Sequence, residues 1–235
     1  MLSRTYLVFC ICMSLAACGG GDSSNGKNRA FDTSTMFQAF PNSTGSLRTV
    51  SSKGAVSADH PFFLSIGTNG RACVTCHQPS LDWTITPSFV RERFDATAGT
   101  DPLFRIVDGS NSPNADVSTE QSRRIAYSML LNKGLIRVGM PIPANAEFTL
   151  EVVDDPYGFA SAKELSLFRR PLPSTNLKFL TTVMWDGRES LANQTLHDNL
   201  GQQSNDATRG HAQGARDLTP DERNQIVDFE TSLVN

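Results

Sequence analysis

Cys73-Val74-Thr75-Cys76-His77 carries the pattern C-x-x-C-H. Its spacing puts two thiols about one helical turn apart, within reach of the two vinyl groups of one porphyrin, and drops the adjacent imidazole beneath the iron. The expectation is one covalent haem c, bound through Cys73, Cys76 and His77, with His77 as the metal ligand. A zinc site would need a second pair of ligands, and a thioredoxin-like motif a βαβ frame; neither accompanies these residues.

The remaining cysteines have other uses. Arg4 followed by the apolar run 6–15 and by Leu15-Ala16-Ala17-Cys18 resembles the signal and lipobox of bacterial lipoproteins. That resemblance implies removal of residues 1–17, lipidation of Cys18, export, and a membrane anchor facing the periplasm. Cys10 and Cys12 would leave with the signal. Residues 18–58 then read as a flexible tether, being rich in Gly, Ser, Asn and Thr, with Phe31, Met36, Phe37 and Phe40 as candidates for an arm packed on the domain. Residues 59–235 are expected to form the haem domain. A hydrophobic content of 39% supports a real core, and a net charge of −3 provides no basic stripe for nucleic acid.

The elements that must position the motif are short. Residues 60–67 and 87–94 read as helices, and 95–117 as a long loop. Ser118 with Gln121 makes a capping box for a helix that stops at Gly134. Residues 148–152 alternate as a strand, 161–169 read as a helix, and 189–203 as another. The final helix opens on Thr219, Pro220 and Glu222, with Ile226, Phe229 and Leu233 on one face. The expected fold is mainly α, a cytochrome c-like haem domain with long loop insertions, in which residues 220–233 pack near residues 60–67.

The iron's sixth position stays open. Gly139-Met140-Pro141 resembles the methionine-ligand segment of small carrier cytochromes c, and Met140 as ligand would raise the potential and close the iron to peroxide. His60, His197 and His211 are the other candidates, and Met140 as core filler is the alternative.

Residues 167–194 contain Arg170, Pro173, Asn176, Trp185, Asp186, Gly187, Arg188 and Gln194 in an R-x-x-P-x-x-x-N, W-D-G-R and Q order. Together with the C-x-x-C-H motif, this resembles the first haem domain of the bacterial di-haem cytochrome c peroxidase superfamily. The Gly70-Arg71-Ala72-Cys73 lead-in and Phe104-Arg105 to Asp108-Gly109 resemble its subgroup related to methylamine-dehydrogenase maturation enzymes and rubber oxygenases. The resemblance implies a peroxide-reacting haem with Trp185 and Gln194 near its distal side, and a redox partner protein. His211 or Glu189 would move the proton and Arg188 would supply charge; an Asp186–Arg188 pair closing a tight turn is the structural alternative. No histidine lies between His77 and His197, Ser204 stands where the family carries a glutamate, and no second haem motif occurs. Three functions follow: peroxidase-like oxidoreductase, electron carrier with a Met or His sixth ligand, and non-catalytic haem-binding lipoprotein.

Overall fold

The computed structural model describes residues 31–235; the signal segment, Cys18 and residues 19–30 lie outside the described residues. From Phe31 onward, the stretch expected as a tether with a candidate packed arm carries Phe31, Met36, Phe37 and Val56 against the first apolar cluster. Met36 is fully buried, and Phe31 stacks on Phe63 with ring centroids 4.9 Å apart. Strands β1 (Phe40–Asn42) and β2 (Gly45–Leu47) pair as a hairpin, and β3 (Val50–Ser51) pairs antiparallel with the terminal β6 (Leu233–Val234).

Helix α1 (Pro87–Thr97) begins where Thr86 accepts from the Phe89 amide, with Pro87 in its first turn. The next helix is interrupted. α2 (Glu120–Ala126) and α3 (Ser128–Lys133) meet at Tyr127, and Gly134 closes α3 in the left-handed region. The capping box is Thr119 with Ser122, one residue beyond the expected Ser118 and Gln121. Helix α4 (Leu196–Gly210) starts only at the Thr195 cap. Helix α5 (Pro220–Ser232) forms as its sequence dictates: Thr219 Oγ1 accepts from the Glu222 amide at 3.2 Å, and Glu222 Oε2 accepts from the Thr219 amide at 2.7 Å. Losing this cap should be felt at the core, because Ile226, Val227 and Phe229 are buried. Thr219→Ala is therefore expected to cost about 1 kcal/mol, read as a lower urea midpoint at unchanged slope.

The hairpin of β4 (Ile136–Met140) and β5 (Leu165–Arg169) runs from Ile136 opposite Arg169 to Met140 opposite Leu165. It corrects two expectations. Residues 161–169 are not a helix, because their backbone groups pair across the hairpin. Residues 148–152 form no strand; Phe148 is 63% and Val152 77% exposed, with no partner strand beside them.

The expectation of a mainly α, cytochrome c-like domain is likewise corrected. Of the described residues 33% are helical and 12% are in strands, and no cytochrome fold is shown. Residues 60–67 hold a single 3₁₀ turn, Pro61–Phe63. The backbone then turns away to meet residues 211–213: Thr68 donates to the Ala212 carbonyl at 3.0 Å. A Cβ on Gly67 would collide with that same carbonyl. The expected packing against the last helix does occur, with Phe229 5.1 Å from both the Phe62 and His60 rings.

Three apolar clusters surround one cavity. Phe62, Trp83, Ile226 and Phe229 belong to the first, Phe94, Phe104, Leu130 and Ile136 to the second, and Leu177, Val183, Leu200 and Val227 to the third.

Candidate functional site

The cavity has a volume of about 640 Å³ and is lined by Cys73, Cys76 and His77, by Ile136 and Val138 of β4, and by residues 169–177. This lies within the range of small-molecule and cofactor sites, about 300–1,000 Å³. Cys73–Thr75 is a single 3₁₀ turn, closed by the Cys76 and His77 amides donating to the Cys73 carbonyl at 3.2 and 3.0 Å. That turn places both sulfurs and the imidazole on one wall. Removal from water pushes the Cys73 thiol up to about 12 and the Cys76 thiol up to about 11, so both are neutral at physiological pH.

His77 is held from behind. Its Nδ1 lies 2.8 Å from the Trp83 carbonyl and 2.9 Å from Ser174 Oγ. A carbonyl only accepts, so Nδ1 carries the proton and Nε2 keeps its lone pair for a metal. Burial pushes the imidazole down to about 4, which keeps it neutral. Trp83 is itself fixed, fully buried and donating from Nε1 to Thr49 Oγ1 at 2.9 Å. Among the described residues no three His, Cys, Asp or Glu side chains gather as a metal cage, so a tetrahedral zinc site has no ligand set there. Two thiols and one free imidazole nitrogen facing an apolar space fit a c-type haem.

A second charged group borders the same space. Arg71, 3% exposed, donates from Nε to the Pro102 carbonyl at 2.8 Å and from Nη2 to the Leu103 carbonyl at 2.7 Å. Its Nη1 forms an ion pair with the buried Asp108 and reaches the His211 carbonyl at 3.2 Å. The other Asp108 oxygen accepts from His211 Nδ1 at 2.6 Å. Burial raises the Asp108 carboxyl, but the Arg71 charge and the His211 hydrogen bond outweigh it and hold the group below the ordinary carboxylate range. Because Nδ1 is committed to Asp108, His211 is left with Nε2 as its free nitrogen, and the ring lines the cavity. The contribution of Asp108 to stability is present above the unfolded pKa of about 3.9 and lost as pH falls below it.

The other expected residues are dispersed. Trp185 lies at the cavity rim, 58% exposed, donating from Nε1 to the Arg170 carbonyl at 2.9 Å. Arg188 also lines the cavity but is paired with Asp186 at 3.0 Å, closing the turn. Gln194 is exposed and lies with His197 in a separate surface depression of about 310 Å³. Met140 ends β4 and is absent from the lining that Ile136 and Val138 provide; Met184 is the lining methionine instead. His60 caps the Pro61 turn, with Nδ1 accepting from the Phe62 amide at 3.2 Å.

Sequence reasoning did not single out Ser174 or Glu230. Glu230 lines the cavity from α5 and is 6% exposed, and burial raises its carboxyl to about 7. The signal was there: position 230 falls on the helix face of Ile226 and Leu233, where a carboxylate is out of place. A carboxyl whose pKa is raised above its usual 4.5 binds more protons folded than unfolded, so stability falls as pH rises from 4.5 to about 7. Glu230→Gln in the haem-free protein is expected to flatten that fall, which is on the order of 3 kcal/mol, in urea titrations at pH 5 and pH 8.

Comparison with protein-family models, with curated proteins and with solved structures finds no match to this chain.

Proposed function

We propose that the chain is an exported c-type haem lipoprotein with a redox function, and that its domain acts in peroxide reduction. His77 carries the haem reading: its Nδ1 is tied to Trp83 and Ser174 while Nε2 faces a large cavity beside two free thiols. Cys73 and Cys76 would each add an S–H across a vinyl group, with no leaving group, and His77 Nε2 would ligate the iron. The haem, when bound, supplies the redox centre. The lipobox-like segment ending at Cys18 supports a membrane anchor.

The peroxidase reading rests on His211, whose Asp108 partner orients the ring as in a general acid–base pair. His211 Nε2 would take a proton from one peroxide oxygen and return it to the departing one, which leaves as water as the O–O bond breaks, and the buried Arg71 keeps Asp108 ionised. Two electrons from an external redox protein and two protons from solvent would reduce the remaining oxygen to a second water. The resemblance of residues 167–194 to the di-haem peroxidase superfamily supports the same reading. A second reading is electron carriage, favoured by Met184 in the cavity lining.

Electron paramagnetic resonance of the ferric haem-loaded protein separates the two. A dominant high-spin signal is the expected result and supports peroxide chemistry. A pure low-spin signal, lost on Met184→Ala, would make electron carriage the function.

A further inference from the structure

Four arginines line the cavity, and three of them have their guanidinium engaged. Arg71 is ion-paired with Asp108. Arg188 pairs with Asp186 at 3.0 Å, and Arg170 donates from Nη2 to the Lys133 carbonyl at 3.1 Å. Arg169 is the exception: among the described residues its guanidinium has no hydrogen bond or ion pair. The hairpin fixes where it stands. Arg169 is opposite Ile136 in the β4–β5 register, and directly paired residues project to the same face of a ladder. Both line the cavity, with Arg169 half-buried at the end of β5. A cation against Ile136 and Val138 gives up part of its hydration, and the protein supplies no anion in return.

The charge that answers it must come from the occupant. A haem carries two propionates on the edge away from its vinyl groups, and Cys73 and Cys76 take the vinyl edge. The buried acids of the lining cannot balance a propionate, since Asp108 is already matched by Arg71 and Glu230 is itself an acid with Oε2 unpartnered. Next to Arg169, the exposed Arg170 accepts at its carbonyl from the rim residue Trp185 at 2.9 Å. The free guanidinium is thus near the mouth, where a carboxylate keeps some contact with water.

We propose that Arg169 binds a propionate of the haem and so anchors the edge of the macrocycle away from its thioether links. This rests on the haem reading above. A guanidinium is a planar fork of donors that holds both carboxylate oxygens at once, which an ammonium does not. With its charge matched, the propionate acts less on the iron and opposes the ferrous state less.

The test is resonance Raman spectroscopy of the haem-loaded full chain, read at the propionate bending modes, with an optical redox titration at pH 7. Arg169→Gln and Arg169→Lys are set beside the wild type, with Lys163→Gln as the control, an exposed charge outside the lining. Arg169→Gln is expected to shift one propionate mode and leave the iron–histidine stretch alone. Its ferrous-to-ferric ratio at fixed poise should fall about tenfold, equivalent to about 59 mV for a one-electron couple. Arg169→Lys should shift the same mode while keeping most of the potential, because the charge stays and the fork is lost. Unshifted propionate modes in Arg169→Gln would overturn the proposal whatever the potential does, since a solvated arginine or one holding a free anion would behave so. A shift of the same mode in Lys163→Gln would overturn it too. If Arg169→Gln does not load haem, Arg169→Lys decides: a shifted mode supports the anchor and an unshifted one overturns it. A wild-type chain without covalent haem would overturn the underlying reading instead.

Discussion

Replacing Cys73 and Cys76 together by alanine is expected to abolish denaturant-resistant haem, taking it from one per chain to none. Both thiols line the cavity, on a 3₁₀ turn and its C-cap that His77 directly follows, so both would be able to link to one macrocycle that His77 also reaches. A single replacement should leave one link, and the haem should then still migrate with the chain in a denaturing gel. His77→Ala should act differently. It leaves both thiols, so the haem remains covalent, but the iron loses the nitrogen that Trp83 and Ser174 aim at it. The absorption spectrum should then change while gel haem staining persists. Equal loss of stain in all four variants would mean that the cavity folds around these residues rather than attaching a group through them.

Asp108→Ala is expected to destabilise the fold by about 3–5 kcal/mol, because it strands a guanidinium that is almost wholly buried. Arg71 has backbone carbonyls of Pro102, Leu103 and His211 around it, but its compensating charge is Asp108. The same substitution frees His211 Nδ1, so peroxide turnover should fall even in the fraction that folds. Replacing both partners, Arg71→Met with Asp108→Leu, should cost less than Asp108→Ala alone, since no uncompensated charge remains. Urea titrations of the two variants beside the wild type check this at once. A loss under about 1 kcal/mol for Asp108→Ala would mean that water reaches the pair.

Local signals in the sequence were legible and non-local ones were not. The last helix could be read because its cap, its first-turn proline and its apolar face are all written within residues 219–233. The C-x-x-C-H pattern is local in the same sense. The β4–β5 hairpin was missed because Leu165–Arg169 becomes a strand only by pairing with Ile136–Met140, and nothing inside 161–169 announces that partner. In the same hairpin Ile136 and Val138 line the cavity, while Met140, the last residue of β4, is not part of that lining. Resemblance pointed to Trp185, Arg188, Gln194 and His211. Three of these line the cavity, and Gln194 lies in a separate depression. The ion pair of Arg71 with Asp108 joins residues distant in the chain, and only their types were visible beforehand. Ser174 is a polar residue after Pro173, and its contact with His77 could not be read from either position.

The most direct test is the mass of the denatured chain after expression with a c-type haem attachment system. The account predicts a gain of one haem, carried on the peptide that contains Cys73 to His77. An unmodified mass with two alkylatable thiols, from cells that attach haem to a control protein, would contradict it.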